Sequence, residues 1–136
     1  MVSEKREEAF ARRSLRAYQL YLALAERETS FVLQSCLNEL AHISREQFHF
    51  WARRSGVRGD MVSLSVVTLY FFRTIRLICG VSFIARSIIH WEERGIESYR
   101  NYCKTCIVDA DIRMIRTFID RKYAMVARLK EDTSVS

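Results

Sequence analysis

LQSCLNELAHISREQFHFW, residues 33–51, decides the fold. Along it Leu33, Leu37, Leu40, Ser44, Gln47 and Trp51 recur at alternating steps of four and three. That rhythm marks one buried face of an α-helix. Two polar residues sit on that face, three apart, at a spacing helical bundles use to hold a metal. Serine and glutamine are poor ligands for iron or manganese, so the pair speaks of architecture and of an activity that is missing.

Working towards the N-terminus, a first helix is expected from about Ser3 to Arg27, with Ser3 as N-cap and acids at 4, 7 and 8 near its positive end. Its inner stripe reads Phe10, Ser14, Ala17, Tyr21, Leu24. A turn capped by Thr29 or Ser30 opens a second helix that runs to about Ser55. Antiparallel pairing then sets Leu24 beside Leu37, Tyr21 beside Leu40, Ala17 beside Ser44, Ser14 beside Gln47 and Phe10 beside Trp51. Two stripes found separately therefore share one register, which predicts a helical hairpin.

Towards the C-terminus, residues 56–60 form a loop, and Asp60 is expected to cap the next helix. Residues 61–91 are apolar around most of a helical circumference, broken by Arg73, Arg76 and Arg86. They are expected either as a long connection or extra helix between helices two and three, or as a homodimer face. A third helix carries Ser82, Ala85, Ile89, Glu92, Ile96, Tyr99 and Cys103, with a turn at 101–105. A last helix, from about Cys106 to Leu129, carries Val108, Ile112, Ile115, Ile119, Tyr123 and Val126. The expectation is one all-α domain over 1–129, an antiparallel four-helix bundle, with 130–136 as a disordered tail.

Composition agrees. The chain has 136 residues, no proline, and glycine only at 56, 59, 80 and 95, which suits long helices. The charged N-terminus does not resemble a signal peptide, so a cytoplasmic location is expected. The longest charge-free run, 61–72, is too short for a transmembrane segment by itself. The net charge of +6 is dispersed, with Arg12, Arg13 and Arg16 and then Arg53, Arg54 and Arg58 as its densest groups. A solvated basic surface is favoured over nucleic-acid binding. Cys36 and Cys79 read as small core residues. Cys103 and Cys106 form a lone CxxC without the second pair a zinc site needs; structural or incidental thiols are favoured over a local disulfide or a redox role.

The segment LALAERETSFVLQSCLNELAHISREQFHFWARRSG resembles the first hairpin of rubrerythrin-like ferritin-fold proteins, and most closely the ferritin-like domain associated with vacuolar-iron-transporter-type proteins. The features in common are Ala25 and Glu26 closing helix one, Phe50 and Trp51 closing helix two, and a glycine soon after. ICGVSFIARSIIHWEERGIESY is similar to the glycine-led third helix of that family. The resemblance covers most of residues 10–100. It implies a four-helix bundle holding two irons, each half giving one carboxylate from its first helix and a Glu-x-x-His from its second. Carried onto this chain, those positions hold Ala17, Ser44, Gln47 and Ile89, with Glu92 replacing Ile89 if the third helix slips by three. No histidine follows His90, so the last helix has no Glu-x-x-His. The resemblance therefore implies a degenerate di-iron site without a cofactor, in a non-enzymatic interaction or scaffold protein.

Helix two also contains two literal Glu-x-x-His pairs, Glu39/His42 and Glu46/His49. These make the alternative: an iron-handling or di-iron oxidase/peroxidase-type protein binding iron or another divalent metal through relocated ligands, Glu92 included. Register opposes it, since their stripe lies about 200° around the helix from the Leu40–Ser44 line. Turning it inward buries two carboxylates and exposes Leu33, Leu37, Leu40 and Trp51.

Overall fold

Ser30 opens the helix that carries the deciding stretch. Its backbone is extended (φ −74°, ψ 115°) and its hydroxyl accepts a hydrogen bond from the Leu33 amide at 3.4 Å. Gly56 closes that helix at φ 78°, a left-handed conformation that glycine adopts without strain, its amide donating to the Ala52 carbonyl. These caps bound α2, Phe31–Ser55, in a computed structural model that describes the backbone of residues 2–61 and 65–134 and the side chains of 5–60 and 65–132. The other helices are α1 (Val2–Arg27), α3 (Val66–Thr105) and α4 (Asp109–Ser134), with a 3-10 turn at Gly59–Met61. Every regular element among the described residues is helical, so the all-α class holds.

The chain divides into two compact units, Met1–Thr74 and Ile75–Ser136, where the sequence reads as one domain. The division falls inside α3. In the first unit α1 and α2 pack along each other as a hairpin. Near the turn the Ala25 carbonyl at the end of α1 accepts from Gln34 Nε2 at 2.9 Å and from the Glu28 amide at 3.2 Å. At the far end the rings of Phe10 and Trp51 lie 4.8 Å apart, the pairing expected from the stripes. Ser14, Ala17, Tyr21 and Leu24 are all buried, as is every member of the α2 stripe from Leu33 to Trp51.

In the second unit a three-residue loop, 106–108, joins α3 to α4. The loop is held by the Cys106 amide on the Tyr102 carbonyl and the Thr105 hydroxyl on the same oxygen, both at 3.1 Å. Asp109 and Asp111 lie in the first turn of α4, where negative charge complements the helix dipole.

Several boundaries differ from expectation. α3 joins the extra helix expected between helices two and three to the helix expected from Ser82, and it continues through 101–105, where the sequence predicts a turn, so α4 begins at Asp109. Within α3, Gly80 departs from helical geometry at φ 84°, ψ −177° and kinks it. Asp60 does not stand next to the first residue of α3, Val66. It lies in the 3-10 turn and pairs with Arg58 at 3.4 Å, while the Ser65 carbonyl accepts from Leu69 at the start of α3. Ser3 lies within α1 rather than at its cap. The tail expected from 130 is helical to Ser134, steadied by Lys130–Glu93 at 3.0 Å and Arg128–Asp132 at 3.9 Å. Residues 135–136 lie outside the described residues. Cys36 is buried as expected, but Cys79 is exposed.

Candidate functional site

Among the described residues, the buried polar and charged side chains are Ser14, Ser44, Gln47, Glu92 and Lys122. Each lies on the inner stripe of its helix. In the first unit, helical spacing alone brings Ser44 and Gln47 onto the line of Leu40 and Trp51, where Ser44 is wholly buried. Ala17 is buried on the α1 stripe. The stripe of this unit thus offers two hydroxyls and one amide, all uncharged. Such a set can accept and donate hydrogen bonds but cannot balance the charge of two metal cations.

The Glu-x-x-His pairs of α2 occupy the opposite side. Glu39, His42 and His49 are exposed and Glu46 half-buried. His42 Nε2 lies 3.3 Å from Glu46 Oε1, one turn apart, an i,i+4 contact of the kind found on solvated helices. The His49 ring sits beside Phe48 at 5.6 Å. No group of three or more His, Cys, Asp or Glu side chains able to share a metal ion occurs among the described residues.

The second unit contains what the sequence reading missed. On α3, Ala85, Ile88, Ile89, Glu92, Ile96 and Tyr99 are buried. Facing them, α4 buries Ile115, Ile119, Lys122, Val126 and Leu129, again at steps of four, three, four and three. Lys122, not Tyr123, completes that stripe; Tyr123 is 60% exposed. Lys122 Nζ lies 2.9 Å from Glu92 Oε2 and 3.0 Å from Oε1, so one ammonium spans both carboxylate oxygens. Both side chains are more than nine-tenths buried. A buried carboxylate requires a partner of opposite charge, and here α4 supplies it. Glu92 is thus engaged by an ammonium, and Ile89, one turn earlier, is an apolar member of the same stripe.

Cys103, in the last turn of α3, and Cys106, in the loop, are both free thiols, so no disulfide joins them. Burial pushes the Cys103 thiol above its ordinary value; the Arg116 guanidinium pulls it down, and Cys106 adds a smaller upward push. The thiolate is the reactive form, so this shift lowers its share at a given pH.

Comparison with models of known protein families, with curated proteins and with solved structures found no match to this chain.

Proposed function

We propose that this chain is a ferritin-like, rubrerythrin-like antiparallel four-helix bundle whose di-iron site is degenerate, serving as a non-enzymatic interaction or scaffold protein. The observation that carries this reading is the buried pair of Glu92 and Lys122. Glu92 is the one carboxylate on the inner stripe of α3, and Lys122 gives it the positive charge that a metal would otherwise supply. The inner positions of the first hairpin agree, since Ala17, Ser44 and Gln47 are neutral and buried. Uncharged side chains at those positions avoid the desolvation of carboxylates that have no cation to bind.

A di-iron oxidase or peroxidase needs bridging carboxylates and imidazoles converging from several helices. The resemblance assigns this chain none of the imidazoles. The reading is tested by elemental analysis of the full chain purified from iron-supplemented growth. Well below one metal ion per chain is expected. Two irons per chain overturn the proposal, and their loss in a His42→Ala/His49→Ala variant transfers the site to α2.

A further inference from the structure

The segment of α3 before its kink is inside out. Val66, Val67, Tyr70, Phe71, Leu77 and Ile78 are all exposed, Leu77 by 84% and Val67 and Ile78 by 78%. At 100° per residue they fall within one arc of about 140°. Thr74 is the one polar residue in that arc. Arg76 lies on the other side of the helix and Arg73 just beyond the edge of the arc, and both are half-buried. A surface helix ordinarily has the reverse arrangement. An unbroken apolar face of this size, built from aliphatic and aromatic side chains, needs a cover.

We propose that this face, residues 66–79 of α3, docks on an anionic phospholipid surface and lies in the plane of the interface. By length and composition α3 is apolar enough to cross a bilayer. Gly80, however, interrupts it in a conformation that only glycine adopts readily. The apolar helix is thus 14 residues, about 21 Å at 1.5 Å per residue, against the roughly 30 Å of a bilayer core. After the kink, Ile84, Ala85 and Ile88 turn inward and are buried. A short helix with a wide apolar face matches the dimensions of an interfacial anchor rather than a span.

Charge selects the lipid. The chain carries +6, and Arg73 sits at the edge of the exposed arc, where headgroups meet the helix. Its Nε is buried without a hydrogen-bond partner among the described residues. Rotating the flexible arginine stem outward brings its planar guanidinium to phosphate oxygens, which it binds in bidentate fashion. Tyr70 adds an aromatic ring with a polar tip, suited to the headgroup boundary.

Flotation of the full chain with lipid vesicles tests this surface independently of the metal reading. The chain is expected to float with phosphatidylcholine vesicles containing about a quarter phosphatidylglycerol, and more weakly with phosphatidylcholine alone. A Phe71→Ser/Ile78→Ser variant with unchanged helical circular dichroism should lose about tenfold or more in partitioning. Should that variant lose helicity, Leu77→Gln takes its place, since Leu77 is the most exposed residue of the face. Arg73→Ala should reduce the preference for anionic vesicles. Absence of the wild-type chain from the floating fraction overturns the proposal, as does equal flotation of wild type and the serine variant. A dimer in light scattering that dissociates in the serine variant, without flotation of the wild type, assigns the face to a second copy instead.

Discussion

The ammonium of Lys122 lies 2.9 Å from the carboxylate of Glu92, and these are the buried charged side chains of the second unit's described residues. The contact spans 30 positions of sequence and ties α4 to α3. Removing one member leaves a charge buried without compensation, which costs about 3–5 kcal/mol, whereas replacing both with apolar residues of similar volume is often neutral or stabilising. Lys122→Met should therefore lower stability in urea unfolding by about 3–5 kcal/mol, and Glu92→Leu/Lys122→Met should recover most of it. By contrast Lys130→Ala, which breaks the exposed pair with Glu93, should cost at most about 1 kcal/mol.

The two polar stripes of α2 should respond in opposite ways. Ser44 is wholly buried, and a carboxylate there would have no cation of its own. Ser44→Glu is expected to destabilise the chain by about 3 kcal/mol or more in the absence of metal. His42 and His49 are exposed, so His42→Ala/His49→Ala should change stability by no more than about 0.5 kcal/mol. Urea unfolding of both variants in a chelating buffer checks the contrast. Similar losses in the two would mean that α2 is rotated from the register described.

The first hairpin was legible in the sequence because each helix carries an unbroken stripe at steps of four and three. Of the pairs the stripes predict, Phe10 and Trp51 stand in ring contact at 4.8 Å, and the other stripe members are buried. The outward direction of His42 and His49 comes from the same arithmetic. Lys122 escaped notice for a physical reason. A search for apolar periodicity passes over a lysine and settles on Tyr123 beside it, although steps of four, three, four and three from Ile115 to Leu129 run through position 122. Which side of residues 66–79 faces outward was illegible, because the segment is apolar around most of its circumference. Only a view of which side is exposed reveals that the segment is inverted.

Gly80 offers a test of the kink that ends this segment. A Cβ built there meets nothing within 4 Å, so space does not exclude a side chain. The obstacle is the backbone at φ 84°, ψ −177°, a region essentially reserved for glycine. Gly80→Ala should destabilise the chain by about 1–3 kcal/mol, read from its urea midpoint at unchanged slope. An increase in stability would mean that the helix runs straight through position 80.

Cys103 provides the pH-dependent prediction. Burial raises the pKa of its thiol, partly opposed by Arg116 and aided by Cys106. The reactive species sets the sign: the thiolate attacks, so a raised pKa leaves less of it at a given pH. Between pH 7 and the ordinary thiol range, Cys103 in the folded chain should react more slowly with iodoacetamide than the same residue in the urea-unfolded chain. Its rate should keep rising at pH values where the unfolded thiol has already levelled off. Substituting Arg116 with Met removes the one downward influence, so the folded rate at pH 8 should fall further. Peptide-level mass spectrometry after brief labelling separates Cys103 from Cys106. A folded Cys103 that reacts faster than its unfolded form would instead identify an activated thiol and restore the redox reading of the CxxC.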